Sequence, residues 1–325
     1  MELLKKLTEC AAPSGRESKL RSLIEAEMRS CCDEIYTDAL GNLICRKKGS
    51  GKKLMLAAHM DEIGIIVTFI DKNGFLRFSA VGGVRDYNCV NRTVIFENGT
   101  RGIISFENKN KPSGLDKMYI DIGAESRAEA EKLVSIGDTA AFGGEYAELG
   151  NRVCTKAADD RAGCYALILA MQQAGKTDND IYAVFTVQEE LGLRGSKTAA
   201  FSIRPDMGIA IDVSNTGDTP ESVELNLKLG GGPGIKIKDS SYIMHPQVRD
   251  FLIDCAKKAD VPYQLEAAAN GGTDAGAIQF AGCGTPSGTV SIPTRYIHSQ
   301  TEVTDTRDLE NTVKLIKTVI ETELM

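Results

Sequence analysis

The chain is 325 residues long, 42% apolar and 26% charged, the make-up of an ordinary soluble globular protein with room for about two domains. Its formal net charge of −7 argues against a nucleic-acid partner, because phosphate binding needs clustered Lys and Arg. No apolar run approaches the roughly 18 to 20 residues of a membrane span, and Met1-Glu2-Leu3-Leu4-Lys5-Lys6-Leu7 lacks the apolar stretch of a signal peptide, so no membrane partner and a cytoplasmic location are expected.

Taken in chain order, the first 32 residues carry helical spacing, with Leu20, Leu23, Ile24 and Met28 on one face. Ser14, three residues before Glu17, suggests a capping box. Short β-like runs follow at 43–45 and 53–58, the second ending at His59-Met60-Asp61-Glu62. From 64 to 152 the texture changes to Val/Ile/Phe runs broken by Gly and Asn, at 65–69, 75–78, 93–96, 102–106, 118–122 and 138–142. That spacing predicts a small β-barrel or sandwich, with a helix only over 126–134. Beyond Asp159 strands and helices alternate, over 162–173, 181–187, 207–211, 223–229, 246–259, 273–280, 289–292 and 306–322. The whole reads as a mixed α/β sheet flanked by helices, built from 1–63 and 153–325, with a β-rich insert at 64–152.

Nine cysteines, Cys10, Cys31, Cys32, Cys45, Cys89, Cys154, Cys164, Cys255 and Cys283, form no C-x-x-C pair and are odd in number. They read as reduced thiols rather than a disulfide framework or a thiolate zinc site.

Four apolar runs stop at acidic or imidazole residues: 54–58 at His59 and Asp61, 181–188 at Glu189 and Glu190, 207–211 at Asp212, and 289–297 at His298. Ligands of open α/β sheets bind outside the carboxyl ends of the strands, so these side chains are candidates to converge on one site. Asp159-Asp160-Arg161, directly before an apolar helical run, adds a fifth cluster. Each has a bland reading alone: Asp159 as a helix cap, Glu189-Glu190 as a solvated acidic turn, H-x-D as surface chance. Together they point elsewhere, because several carboxylates in one site are costly unless they bind metal. Imidazole nitrogen with carboxylate oxygen suits zinc, cobalt or manganese, and a dinuclear site accommodates this many donors. In a strand, residues i and i+2 share a face, so Asp61 is placed to orient His59. Adjacent Glu189 and Glu190 point in different directions, so one can bind metal while the other faces water.

Other templates fit poorly. Gly49-Ser50-Gly51-Lys52-Lys53 lacks the first P-loop glycine, Gly230-Gly231-Gly232-Pro233-Gly234 is not G-x-G-x-x-G, and no G-x-S-x-G elbow occurs. Glu189 and Glu190 are too close in sequence to flank a sugar as glycosidase carboxylates do.

Six segments in order, Ala58-His59-Met60-Asp61-Glu62-Ile63-Gly64, Asp159-Asp160-Arg161-Ala162-Gly163, Thr186-Val187-Gln188-Glu189-Glu190-Leu191-Gly192, Ala210-Ile211-Asp212, Gly272-Thr273-Asp274 and Pro293-Thr294-Arg295-Tyr296-Ile297-His298-Ser299, resemble the glutamyl and deblocking aminopeptidases, the tetrahedral co-catalytic metallopeptidases. The resemblance runs over nearly the whole chain. It implies two divalent ions per chain, with Asp159 bridging, His59 and Asp212 completing one site, and Glu190 and His298 the other. It further implies that Glu189 is the general acid/base, that Asp61 stands behind His59, and that the peptide bond after Asp159 is cis. The insert resembles a dimerisation domain, and the family's dimers assemble into a hollow dodecamer. Two departures stand out: Ala158 replaces the usual Leu, and 106–111 lacks a commonly seen His. His245 matches no ligand position and reads as structural or pocket-lining.

The expected activity is removal of N-terminal residues from short peptides by water activated at two metals, with Glu189 as general base. A deacylase, a carboxypeptidase and, from a label carried by some relatives, a glucanase are the enzymatic alternatives. A catalytically dead scaffold is the non-enzymatic one, and here every ligand position is filled.

Overall fold

The computed structural model describes residues 1–107, 114–220, 222 and 225–324. It opens with α1 (Glu2–Glu9) and α2 (Ser18–Met28). Leu20, Ile24 and Met28 recur every fourth residue along α2 and are buried, as the spacing predicts. The expected capping box is not formed. The Ser14 hydroxyl instead donates to Asp61 Oδ2 at 2.6 Å, and Glu17 Oε1 accepts from the backbone N–H of Gly15 and of Gln188. Tertiary partners outcompete the local cap.

Strands β1 (Glu34–Thr37), β2 (Leu43–Lys47) and β3 (Lys53–His59) then enter the large sheet. Six strands follow, β4 (Gly64–Ile70), β5 (Leu76–Val81), β6 (Thr93–Phe96), β7 (Arg101–Phe106), β8 (Met118–Asp121) and, after the short α3 (Arg127–Ala130), β9 (Thr139–Phe142). They close a barrel in the order β4-β5-β8-β7-β6-β9. Its core takes alternate residues, Ile65 and Val67, Leu76 and Phe78, Val94 and Phe96, the period-2 signature of a sheet with one face inward. The helix expected over 126–134 is regular only in α3, where the Ser126 side chain caps the Glu129 N–H. The departure noted at 106–111 falls mostly outside the described residues.

The chain returns to the large sheet with β10 (Ala147–Leu149) and β11 (Arg152–Thr155), so the barrel strands end at Phe142. The remaining elements are α4 (Ala158–Gln173), β12 (Asp180–Thr186), α5 (Arg194–Ile203), β13 (Met207–Asn215), β14 (Gly234–Lys238), α6 (Pro246–Lys258), β15 (Gln264–Ala267), α7 (Ala275–Ile278), β16 (Ser287–Arg295), β17 (Glu302–Asp305) and α8 (Thr306–Glu321). The run expected at 223–229 forms no strand among its described residues, and Val223 and Glu224 lie outside them. Leu227 and Leu229 are pinned instead by loop bonds to Gly217 and Asp218. His245 is exposed and caps α6, its Nδ1 accepting from the Gln247 N–H.

The sheet order is β1-β2-β12-β3-β13-β16-β17-β11-β10, with β14 against β16 and β15 beyond it. Its centre, β12, β3, β13 and β16, is parallel. Parallel strands are covered on both faces, which explains the nearly unbroken apolar run of β3. Leu54, Leu56 and Ala58 join the core beneath α4 and α8, while Met55 and Ala57 pack with Ala199, Ala200, Ile203 and Ile278 of α5 and α7. Among the described residues no helix is long and apolar enough to cross a membrane.

Candidate metal centre

Because the four central strands run parallel, their carboxyl ends lie along one edge of the sheet, and the residues singled out in the sequence meet there. His59 ends β3, opposite Thr186 at the end of β12. Glu189 and Glu190 follow Thr186 by three and four residues. Asp212 stands two residues past Ala210, which pairs with Ala57. His298 follows β16, and Asp159 comes from the first, non-helical turn of α4, where φ is −76° and ψ 106°. The Asp159–Asp160 peptide is cis. Ala157, Gln188, Leu193, Tyr296 and His298 all adopt left-handed φ between 53° and 63°. Non-glycine residues in this region cost about 1 to 3 kcal/mol each and gather at functional sites.

Asp159 is the hub. Its Oδ1 lies 3.0 Å from His59 Nε2, and its Oδ2 lies 3.2 Å from His298 Nε2. Asp212 Oδ1 is 3.8 Å and Glu189 Oε2 3.9 Å from His59 Nε2. Glu190 Oε1 is 3.0 Å from His298 Nε2. Both imidazoles spend their other nitrogen on a backbone carbonyl, His59 Nδ1 on Asp61 at 3.1 Å and His298 Nδ1 on Gly83 at 3.1 Å. A carbonyl only accepts, so each Nδ1 carries a proton and each Nε2 faces the cluster, where it would offer its lone pair once a metal displaced the proton it shares with the carboxylates. Gly82 and Gly83 are required where the barrel approaches. Gly82 has φ +81°, and a Cβ on Gly83 would fall 2.7 Å from the His298 ring.

Asp61 lies behind His59, where the sequence placed it, and has a further task. Its carboxylate is 3.6 Å from His59 Nδ1, and the backbone carbonyl makes the closer contact. The carboxylate also accepts the N–H groups of Glu189 and Glu190 at 2.9 and 3.2 Å, holding the turn that aims both side chains. Asp160 Oδ2 accepts the His59 N–H, and its Oδ1 accepts that of Gly163. Glu302, which the sequence reading did not single out, joins the two halves: Oε2 accepts the Asp159 N–H and Oε1 the His298 N–H. It sits four residues past His298 in a short buried strand, and a carboxylate there was the available signal.

Electrostatics follow from burial. Burial alone would lower the pKa of both imidazoles, but the surrounding carboxylates prevail, holding His59 well above its ordinary value and pushing His298 up to about 11. Burial works against the Asp159 charge, yet the two imidazoles keep it well below the usual carboxylate range. Burial, reinforced by neighbouring carboxylates, pushes Glu189 well up and Asp212 and Glu302 to about 8 each. Ionising all four acidic groups beside two neutral imidazoles would leave negative charge uncompensated inside the protein, which is costly without cations.

The donor set fits metal. His59, Asp159 and Asp212 form one three-ligand group and Asp159, Glu190 and His298 a second, with the atoms of each within 4.8 Å of one another. The nitrogen and oxygen donors suit zinc, cobalt or manganese. Both groups open onto one cavity of about 430 Å³.

Residues 41–315 match the M42 glutamyl aminopeptidase family. A candidate aminopeptidase of Acetivibrio thermocellus is 54% identical over 97% of this chain and 96% of that protein. Lysyl aminopeptidase of Pyrococcus furiosus is 38% identical over 98% and 96%. Among solved structures, an aminopeptidase of the archaeon Desulfurococcus kamchatkensis superposes with a TM-score of 0.96 at 43% identity, covering 98% of this chain and 94% of that one. The TET1 peptidase of Pyrococcus horikoshii, described as able to assemble into a tetrahedron or a large octahedral shell, has a TM-score of 0.89 at 34% identity over 98% of each chain. A Thermotoga maritima protein named an endoglucanase has a TM-score of 0.84 at 37% identity over 98% and 96%. With the match extending from β2 through most of α8, and with relatives aligned over nearly their full length, the chain belongs to the M42 glutamyl aminopeptidase family.

Proposed function

We propose that this chain is a dinuclear metallo-aminopeptidase that removes residues one at a time from the free N-terminus of short peptides. The observation that carries the reading is Asp159 offering one oxygen to each of two donor groups. His59 and Asp212 would complete one ion's ligands, Glu190 and His298 the other's. Bound divalent ions would supply Lewis acidity toward the scissile carbonyl and toward water. Glu189, buried beside the cluster, has a carboxylate whose proton affinity is raised by burial and by Asp212 and Glu190. It takes the proton of the attacking water and delivers it to the leaving amine nitrogen. Asp61 keeps Glu189 aimed through the backbone bond at 2.9 Å, and Glu302 fixes Asp159 and His298 in register.

The test is metal content with activity. Protein saturated with zinc or cobalt is expected to hold close to two ions per chain by elemental analysis, and chelation is expected to abolish peptide trimming until metal is restored. A stoichiometry that never exceeds one would remove the bridging role from Asp159.

The barrel at 64–142 interrupts an α/β chain, and its reason lies in assembly. The behaviour described for the TET1 peptidase supports a large shell here, built from dimers through the 64–152 insert, most simply of twelve chains. Light scattering is expected to find that assembly, in metal-dependent exchange with dimers. A fully metallated, active monomer at micromolar concentration would contradict it.

A further inference from the structure

The turn that carries Glu189 and Glu190 presents three consecutive backbone N–H groups to buried carboxylates. Asp61 takes two of them, from Glu189 and Glu190. The third, the N–H of Gln188, goes at 3.2 Å to Glu17 Oε1, 171 residues away in the chain. Successive N–H groups of a turn form a concavity suited to an anion, and here two carboxylates of the chain itself fill it. Gln188 holds a left-handed φ of 53°, which a non-glycine residue keeps only where its surroundings enforce it.

Glu17 is buried. Burial raises its carboxyl pKa, the Gly15 and Gln188 N–H groups oppose that rise, and the nearby Asp61 charge adds to it. Holding two carboxylates this close and out of water costs stability. A local turn needs only the Gly15 contact at 2.7 Å, so local structure does not account for the second bond. The side chain is firmly mounted: Glu17 stands at the N-cap position of α2, where its carbonyl accepts the Arg21 N–H at 2.9 Å. Beside it, Lys19 Nζ donates to the Glu97 carbonyl of the barrel at 2.9 Å, and Ser14 gives its hydroxyl to Asp61. Both carboxylates that hold the turn are thus tied to residues 14–17. That segment does not line the cavity and precedes residue 41, where the family match begins.

Resting on the aminopeptidase reading above, we infer that Glu17 is a positioning residue for the reaction, fixing the turn through the Gln188 N–H and so setting where the Glu189 carboxylate meets the attacking water. Aminoacyl p-nitroanilides, assayed with the metallated full-length protein, test this. Glu17→Ala is expected to lower kcat about ten- to a hundred-fold, the cost of misplacing a catalytic group by about 1 Å. KM and a metal content near two ions per chain are expected to change little. Glu17→Gln keeps an acceptor oxygen in place and is expected to recover most of the rate. Glu17→Asp keeps the charge but withdraws it by one methylene, and is expected not to.

Hydrogen exchange adds a readout independent of turnover: the backbone of 186–192 is expected to exchange faster in the Ala and Asp variants and at the wild-type rate in Gln. Asp308→Ala is the matched control, since Asp308 is a buried carboxylate that accepts the Gly230 and Gly232 N–H groups at 2.7 and 2.8 Å without lining the cavity. It is expected to lower the melting temperature and leave kcat unchanged. If the Ala variant does not fold, the Asp and Gln pair carries the same comparison. A kcat within about twofold of wild type in every Glu17 variant that folds, loss of metal together with rate, or an equal fall of kcat in Asp308→Ala would overturn the inference and leave the aminopeptidase intact. Cleavage of none of the p-nitroanilides by wild type would overturn the aminopeptidase reading itself, while the exchange rates still report whether Glu17 holds the turn.

Discussion

A peptide with a free N-terminus is expected to be shortened residue by residue, while its N-acetylated twin is cut as much as about 10⁴-fold more slowly. The magnitude comes from the site. Glu189, Glu190, Asp159 and Asp212 converge within one cavity, and in the proposed reading they would, together with bound cations, make a receptor for a free α-amino group. Acetylation removes both the positive charge and the lone pair, leaving buried polar groups without their partner, and sites built for a polar group discriminate strongly against analogues lacking it. Mass spectrometry of one free and acetylated pair over time, with metal present, separates the alternatives. A deacylase would release acetate from the blocked peptide, and a carboxypeptidase would ignore the block. Soluble glucans are expected to remain untouched despite the endoglucanase name of one similar structure. Glycosidase carboxylates stand about 5 to 9.5 Å apart across a sugar, whereas here the acids crowd around two imidazoles. Equal trimming of both peptides would defeat the aminopeptidase assignment even with every ligand correct.

Much of the site was legible because the parallel sheet imposes a simple rule. Apolar runs that stop at His59, Glu189, Asp212 and His298 are strands whose ends share an edge, so four separated segments can be expected to meet without any contact being known. The barrel was legible as texture, since its strands alternate, but not its closure. That depends on Gly64, Ile65 and Ile66 pairing with Ala141, Ala140 and Thr139, a long-range match with no local signature. What stayed hidden was every interaction in which a tertiary partner defeats a local preference. Ser14 has the spacing of a capping residue, yet Asp61 takes its hydroxyl. Asp61 stands behind His59 as its spacing suggests, yet its carboxylate also holds the Glu189-Glu190 turn and its carbonyl holds the ring. Glu302 lies in a four-residue strand that, read alone, is indistinguishable from a solvated turn.

Those supporting contacts determine what substitution at the base should do. Glu189→Gln keeps the size of the side chain and leaves untouched the backbone N–H that Asp61 accepts at 2.9 Å, so the turn and Glu190 stay in place. The ligand groups His59–Asp159–Asp212 and Asp159–Glu190–His298 do not include Glu189. Metal content is therefore expected to remain near two ions per chain and the melting temperature to stay close to wild type or rise, since one buried carboxylate among several like charges is neutralised. Turnover is expected to fall by about 10² to 10⁴-fold, the usual worth of a general acid–base group, because an amide cannot take the water proton. The loss should appear in kcat with KM little changed, as for a group that acts in the transition state. Glu190→Gln supplies the contrast: its oxygen stands 3.0 Å from His298 Nε2, so that variant is expected to lose metal as well as rate. If Glu189→Gln lost metal too, Glu189 would belong among the ligands. If it turned over at nearly the wild-type rate, the base would have to be sought elsewhere in the cavity.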